Sequence, residues 1–372
     1  MLFCMKILIA PDKFKGCLTA AQAAEVIGSG FREVIPDAVF DIAFLADGGE
    51  GTAEVFLSGE GSERRVADCT DALGRGLRAE YAWLPDERLA VIEMSAASGL
   101  AKIPEKDRDA LRATTFGTGQ LILDAMKLDP ETIAIGLGGS ATNDAGAGLA
   151  SALGWVFQDD RGRRMEPTPE TLSEIAKIVP PPNPAAAKIL ALCDVRNPLL
   201  GPRGCSRVYG PQKGASAGDV KILESQLEGF ADVCEKHFGC SRRNTPGAGA
   251  AGGTGFGLLT FCGAEIVGGF DWVAGRLGLD ARVAACDLVI TGEGSIDSQT
   301  LEGKGPCALA GLAKKHGKPC IAFAGRVENG AGKIFSRCIP ISDPAMGLAE
   351  SLSHGAEWLR SACTRTARTL SS

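Results

Sequence analysis

The stretch that limits the fold most tightly is residues 132–148, TIAIGLGGSATNDAGAG. A β-branched and apolar run from Thr132 to Leu137 empties into Gly138 and Gly139. Ser140, Thr142, Asn143 and Asp144 follow, then Ala145-Gly146-Ala147-Gly148 and an apolar helical stretch. Strand, glycine loop with hydroxyls, then helix start is how a chain makes an anion cradle. Glycine lets the backbone approach a phosphate, and the N–H groups at a helix N-terminus point at it. Gly138, Gly139, Ser140, Thr142 and Asn143 are therefore candidate phosphate-binding residues. Asp144 is a candidate metal ligand, because hard cations take carboxylate oxygen.

The flanking chain repeats this pattern. Lys6 to Ala10 reads as a short buried strand closed by Pro11-Asp12, and DKFKGCLTA at 12–20 leads into a helix from about Ala20 to Val34. Thr19 is its expected N-cap. Phe40 to Ala46 reads as a second strand. It ends in Asp47-Gly48-Gly49-Glu50-Gly51-Thr52, ahead of a helix from Ala53 to Leu57. Ligands in open α/β sheets bind at such carboxyl ends of strands. Near residue 59 the pattern changes, and Glu63–Asp68, Leu77–Trp83 and Leu89–Met94 read as a β-meander. A helix through Met126 precedes the glycine loop, and the charged, proline-rich residues 158–184 read as a surface excursion. From Asp287 the βα style returns. Leu288–Ile290 reads as a strand, followed by Thr291-Gly292-Glu293-Gly294-Ser295-Ile296-Asp297, a helix, the strand Cys320–Ala324 and a terminal helix. The two ends look alike and the middle does not. The expectation is an α/β fold of two domains. One is a parallel-sheet domain built from residues 1–60 and 284–372. The other, residues 61–283, is a mixed-sheet α/β domain inserted into it and carrying the glycine-rich loops.

A length of 372 residues suits two domains at roughly 150 residues each. A net charge of −6 argues against a nucleic-acid binder. No apolar run reaches the ~18 residues of a membrane span. Residues 1–10 are too short and strand-like for a signal peptide, and MKILIAPD makes Met5 an alternative start. The 13 cysteines form no CxxC pair, and His237, His316 and His354 offer no zinc spacing. They read as reduced thiols of a cytoplasmic protein.

Four glycine-bearing loops place acidic residues after apolar strands: Asp12, Asp47 with Glu50, Asp144, and Glu293 with Asp297. Phosphoryl transfer needs a divalent cation on hard oxygen ligands, a base for the attacking hydroxyl and cations on the moving group. The acids can supply the first two roles. Lys13, Lys15, Lys213 and Lys304, all in loops, can supply the third. Residues 246–257, PGAGAAGGTGFG, form the densest glycine run, and Gly252 and Gly253 join the nucleotide- or phosphate-binding candidates. Its GxGxxG-like spacing has no acidic residue ~20 positions on in a βαβ frame, so it does not read as a dinucleotide fold. The P-loop signature and the protein-kinase motifs are absent, and none of the three histidines sits in a post-strand loop of the kind a Ser-His-Asp hydrolase needs.

Six segments carry a resemblance: MKILIAPDKFKGCLTA at 5–20, ADGGEGT at 46–52, GTGQLI at 117–122, GLGGSATNDAGAG at 136–148, GAGAAGGTGFG at 247–257 and TGEGSIDSQTLEGKGP at 291–306. Together, and in this order, the chain resembles the bacterial glycerate kinase family that phosphorylates glycerate with ATP. The resemblance implies ATP as co-substrate, Mg²⁺, and D-glycerate as acceptor, with 2-phosphoglycerate (or 3-phosphoglycerate) as product. It also implies two α/β domains, the first Rossmann- or flavodoxin-like, with the active site in the cleft between them. A cytoplasmic monomer or homodimer is expected, with no nucleic-acid or membrane partner. A kinase for another small hydroxy acid and a non-catalytic sugar-acid-binding protein are the alternatives. Where this chain has Lys13 the family more often has Ser, which moves the cationic role to Lys15. Within that frame Lys15 is expected on the substrate carboxylate or the γ-phosphate, and Asp47 or Asp297 on the reacting hydroxyl. Asp12, Ser295 and Lys304 are expected on substrate, and Asp144 and Glu293 on the metal.

Overall fold

Apolar alternation along the first strand decides the layering of the chain's two ends. In the computed structural model, which describes residues 5–182, 187–297, 305–342 and 346–371, strand β1 (Lys6–Ile9) turns Ile7 and Ile9 to one side and Leu8 to the other, and Ala10 continues the alternation. All four are fully buried. A strand buried on both faces belongs inside a sheet covered on both sides. With strands numbered along the chain, β1 pairs in parallel with β2 (Val39–Ile42) and with β12 (Leu288–Ile296). β13 (Cys320–Val327) and β14 (Arg337–Pro340) extend the same parallel sheet, in the order β14-β13-β12-β1-β2. Ile7 and Ile9 pack under helices Ala20–Arg32 and Gly355–Ser371. Leu8 and Ala10 pack with Phe270, Val283 and Leu309 on the opposite face. Counted within this unit the strand order is 2-1-3-4-5, the flavodoxin-like doubly wound arrangement. Thr19 caps the first helix as expected: its hydroxyl accepts from Gln22 N at 3.2 Å, and Gln22 Oε1 accepts from Thr19 N at 2.9 Å.

The middle of the chain forms a second sheet of six strands, in the order β11-β10-β6-β5-β4-β3. β3 (Glu63–Thr70), β4 (Gly76–Leu84) and β5 (Leu89–Glu93) are the antiparallel meander. β6 (Thr132–Gly136), β10 (Lys188–Leu192) and β11 (Glu265–Val267) continue from β5 in parallel. Ile133, Ile135, Ala90, Ile92 and Ile189 share a core with Leu121 and Ile122 of helix Phe116–Met126. The segment expected to be a surface excursion is a small antiparallel sheet of β7 (Val156–Gln158), β8 (Arg164–Met165) and β9 (Lys177–Val179). Phe157 on β7 anchors it, with ring centroids 5.8 Å from Phe230 and 5.7 Å from Phe261.

The chain divides into two compact units, Met1–Ala46 with Phe270–Ser372, and Asp47–Gly269. These boundaries lie earlier in the chain than the expected 60/61 and 283/284. The short helix Thr52–Leu57 packs on β4 and β5, so it goes with the middle. Phe270 and Ala274 pack in the core of the end-built unit, so their helix goes with the ends. Asp47 and Glu50 therefore belong to the inserted unit. β12 also runs further than Ile290, pairing Glu293 with Ala324 and Ser295 with Arg326 on β13. Gly292 makes this possible, because a Cβ there would collide with the Phe323 carbonyl oxygen. Among the described residues no helix is long and apolar enough to cross a membrane.

Candidate functional site

In a 2-1-3-4-5 sheet the chain leaves β1 and its third strand on opposite sides, and ligands bind at the carboxyl ends where they diverge. Here those strands are β1 and β12. The backbone stays stitched past the end of β1: Asp12 N donates to Gly292 O and Thr291 Oγ1 to Ala10 O, both at 2.8 Å. Asp12 Oδ1 accepts from Lys13 N at 2.6 Å. Phe14 and Leu18 then exchange backbone hydrogen bonds of 2.9 Å in each direction, closing a turn that holds Lys15 exposed beside Gly16, whose φ is +78°. Along β12, Thr291, Glu293 and Ser295 recur at every second residue and so share one face, and Asp297 follows just past the strand's end. Thr291 and Glu293 are buried, and Ser295 and Asp297 are half-buried. After burial itself, the Glu293 charge helps raise the thiols of Cys307 and Cys338, the latter to about 11. A Cβ on Gly294 would stand 3.2 Å from Lys15 N, so glycine there admits the lysine turn. Asp12, Lys15, Glu293, Ser295 and Asp297 are thus gathered at one sheet edge. Lys304 lies outside the described residues.

The inserted unit gathers a second set at the carboxyl ends of β5, β6 and β10. Asp47 Oδ1 accepts from Gly49 N at 2.9 Å and shapes the Asp47–Gly51 turn. Gly138 N donates to Gly48 O at 3.1 Å, and a Cβ on Gly138 would reach within 2.5 Å of the Gly49 Cα. The Asp47 turn and the 136–144 loop therefore lie backbone to backbone. Glu93, at the end of β5, accepts from Gly51 N at 3.0 Å and Ala53 N at 2.7 Å, through one oxygen. Neither Glu93 nor neighbouring Ser95 was legible as a site residue, because both lie where the sequence reads as meander. Their one signal is position, directly after a strand.

The glycine loop is held more tightly than a bare cradle. Its Gly138 and Ala141 amides are already committed, the second to Ser98 O at 2.9 Å. Gly139 has φ +74°, and its carbonyl accepts from Leu100 N at 2.8 Å. Asn143 is fully buried and donates through Nδ2 to Ser206 Oγ at 2.9 Å. Gly252 and Gly253 are also buried. A Cβ at Gly252 would collide with Thr142 O, and one at Gly253 would stand 2.8 Å from Ala145 Cα. These two glycines are where the 250–261 segment closes on the loop, so their evident role is close packing rather than the phosphate contact expected of them.

Asp144 requires a correction too. It is 0% exposed. Oδ2 accepts from Thr115 N at 2.8 Å, Thr115 Oγ1 at 2.8 Å, Thr114 Oγ1 at 3.3 Å and Gly148 N at 3.2 Å. Oδ1 accepts from Gly146 N at 3.1 Å. Burial pushes this carboxyl up from its ordinary range, while the Thr115, Gly146 and Gly148 donors pull it down. Five donors, four of them on Oδ2, commit this fully buried carboxylate chiefly to backbone amides and threonine hydroxyls. Asp144 ties residues 114–115 to the start of helix Ala147–Ala152, and it does not fit the metal role.

The cation of this unit is Lys213. It is 2% exposed, and Nζ donates to Ser140 Oγ at 2.8 Å and Thr142 O at 2.6 Å. Burial pushes its pKa down to about 8. The Ser95 and Thr142 hydroxyls are buried without a hydrogen-bond partner. Ser95 also lines a cavity of about 520 Å³, together with Glu50, Arg64, Glu93 and Lys102. In the sequence Lys213 is one loop lysine among four, and nothing there sets it apart.

The geometry can be set beside known proteins. The sequence profile described as the glycerate kinase family matches residues 7–371. The chain is 42% identical over 371 residues to a glycerate kinase of Bacillus subtilis, covering 98% of this chain and 96% of that protein. It is 43% identical over 338 residues to a glycerate 2-kinase of Escherichia coli, covering 90% and 89%. The crystal structure of a protein described as glycerate kinase 2 from Salmonella typhimurium LT2 superposes with a TM-score of 0.85 at 40% identity, covering 99% of this chain and 98% of that one.

Proposed function

The chain belongs to the glycerate kinase family, and from that premise we propose that it transfers the γ-phosphoryl group of ATP to the 2-hydroxyl of D-glycerate, giving 2-phosphoglycerate and ADP. The observation that carries this reading is the set Asp12, Lys15, Glu293, Ser295 and Asp297 at the β1/β12 divergence of a doubly wound sheet. Support for the 2-position comes from the Escherichia coli relative, which is a glycerate 2-kinase.

In this reading the glycerate hydroxyl oxygen forms a bond to the γ-phosphorus as the bond to the β–γ bridging oxygen breaks, and ADP leaves with that electron pair. Asp297 takes the hydroxyl proton. Asp47 is the weaker choice for this base, since its Oδ1 already accepts from the Gly49 amide. Lys15, exposed at its turn, meets the substrate carboxylate or the transferring phosphoryl group. Asp12, Ser295 and Lys304 orient the acceptor. In the inserted unit the Ser140 hydroxyl is the loop's donor for a phosphate oxygen.

Mg²⁺ is commonly held in such enzymes by one or two carboxylates together with the substrate phosphates, not by an all-protein cage. Among the described residues no three His, Cys, Asp or Glu side chains converge as a cage. Glu293, two positions before Ser295 on one face and four before Asp297, fits the one-or-two-carboxylate pattern, and Asp144 does not. When bound there, the ion would neutralise charge developing on the phosphoryl oxygens.

The test is glycerate-dependent ADP release with the product passed directly to enolase. Dehydration without added phosphoglycerate mutase is the expected result. A strict requirement for the mutase would overturn the 2-position. A larger kcat/KM for tartronate, erythronate or glucarate would overturn glycerate as the acceptor.

A further inference from the structure

Lys213 closes a short turn, Pro211–Lys213, that is fixed from outside. Gly214 follows with φ +96°, and a Cβ there would stand 2.8 Å from Arg108 O. Arg108 also donates through NH1 to Gln212 O at 3.3 Å. The turn delivers a primary ammonium into the protein interior, where it meets only neutral oxygens of the glycine loop, Ser140 Oγ and Thr142 O. Among the described residues Lys213 forms no ion pair within 4.0 Å. The nearby carboxylate, Asp144, lies beyond ion-pair distance and is itself held by amide and hydroxyl donors.

A buried ammonium with no carboxylate in contact is a costly arrangement, and an anionic ligand would help to balance it. Two further features of the same place point to such a ligand. Thr142 Oγ1 and Ser95 Oγ are both buried with no partner, and Ser95 stands against Gly139, whose added Cβ would lie 3.2 Å from the Ser95 Cβ. Hydroxyls without partners beside a buried cation that has no ion-pair contact make a donor set for anionic oxygen.

We propose that Lys213 is the positioning residue of the glycine loop, supplying through Ser140 the positive charge that seats an anionic oxygen of the substrates there. The chemistry recognised is a phosphoryl or carboxylate oxygen, and the two sources are the nucleotide and the hydroxy acid. The inference rests on the kinase reading only for the identity of those sources.

Titration offers a readout that a purely structural lysine would not give. Three charged or titratable groups face the ammonium or its turn. Asp144 favours the charged lysine, while burial holds the Cys205 thiol up at about 12, so it stays neutral where the lysine titrates. Arg108 contacts the turn through its hydrogen bond to Gln212 O and not the ammonium itself. With the lysine titrating near 8, the loop loses its charge as pH rises through that value. Arginine at the same position would keep it.

The experiment uses the full-length enzyme with a non-hydrolysable ATP analogue and D-glycerate as separate binding probes in calorimetry, beside steady-state kinetics from pH 6.5 to 9.5. For wild type, affinity for one probe is expected to fall at least about fivefold across that range, and the probe that responds identifies the source of the anion. Lys213→Met is expected to raise the KM of that same substrate at least about tenfold at pH 7 and to abolish the pH trend. Lys213→Arg is expected to restore binding and to stay flat to pH 9.5. Should Lys213→Met fail to fold, Lys213→Arg and Ser140→Ala carry the test: the first must remove the pH trend, and the second must weaken the same probe. Unchanged KM values and an unchanged pH trend in the folded variants would overturn the proposal. A wild type that binds both probes and turns over neither would instead overturn the kinase reading and leave the loop result standing.

Discussion

Asp144 and Glu293 enter the chain in nearly the same way. Each follows an apolar parallel strand, each is embedded in glycines, and each reads as a metal ligand. Their surroundings differ completely. Asp144 lies in the inserted unit at the start of a helix, where five N–H and O–H donors hold it. Glu293 lies in the end-built unit on β12 itself, in register with Ala324, and shares its strand face with Ser295, with Asp297 just past the strand's end. The lesson concerns what comes after the acid. Asp-Ala-Gly-Ala-Gly presents a run of backbone amides, and a carboxylate beside unpaired amides binds them first. Glu-Gly-Ser-Ile-Asp keeps the extended spacing of two through Ser295, which lines oxygen-bearing side chains along a strand face and not along a helix start.

The largest expected effect separates these two acids by activity. Asp297→Asn should keep a wild-type thermal transition and lose about 10²–10⁴ in kcat, the range for a positioned general base. Steady-state ADP release at saturating ATP and glycerate measures it. A kcat within threefold of wild type, in a protein that melts normally, removes Asp297 from the reaction and returns the base role to Asp47.

The converse effect belongs to Asp144. Asp144→Ala should destabilise by about 3–5 kcal/mol, since it strands the buried amides of Thr115, Gly146 and Gly148 together with the Thr115 hydroxyl. Asp144→Asn keeps an acceptor and should cost less. Urea melts of the two variants give the values. If Asp144→Ala melts like wild type but needs far more Mg²⁺ for activity, the carboxylate is a ligand after all, and the contrast with Glu293 fails.

How much of this was legible depended on whether a decision was local. The Thr19 cap was readable because the box needs only residues three apart, and Gln22 completes it. The parallel sheet of the end-built unit was readable because Ile7 to Ala10 and Leu288 to Ile290 are apolar without interruption, as strands buried on both faces must be. The boundary at Ala46/Asp47 was not readable. It is set by Glu93 binding the amides of Gly51 and Ala53, across some forty residues of chain. Lys213 was equally opaque, because its burial is decided by Ser140 and Thr142, about seventy residues away. The end of β12 was misjudged because Gly292 and Gly294 look like a turn, whereas they are the positions where Phe323 O and the Lys15 turn come too close for a side chain.

The two units also differ in backbone strain. Among the described residues the non-glycine positions with positive φ are Arg88, Asp129, Ala145 and Ala251, and all four lie in the inserted unit. Two of them, Ala145 at +52° and Ala251 at +54°, flank the seam where the 250–261 segment closes on the glycine loop, and Ala145 N donates to Gly252 O at 3.1 Å across it. A left-handed alanine costs about 1–2 kcal/mol relative to its preferred conformation, and glycine removes that cost while adding roughly 0.4–1 kcal/mol of unfolded-state entropy. Ala251→Gly should therefore stabilise the protein by a net ~0.5–1 kcal/mol, read as a rise in denaturation midpoint with an unchanged m-value. Strain concentrated beside a loop is maintained when the surrounding contacts over-determine the backbone, and it is often retained for what it positions. If the seam only packs, Ala251→Gly will gain stability and keep its KM values. If it sets the loop that Lys213 holds, the same variant will gain stability and raise the KM of whichever substrate that loop seats. A loss of stability would show that the alanine methyl makes a packing contact worth more than the strain it carries.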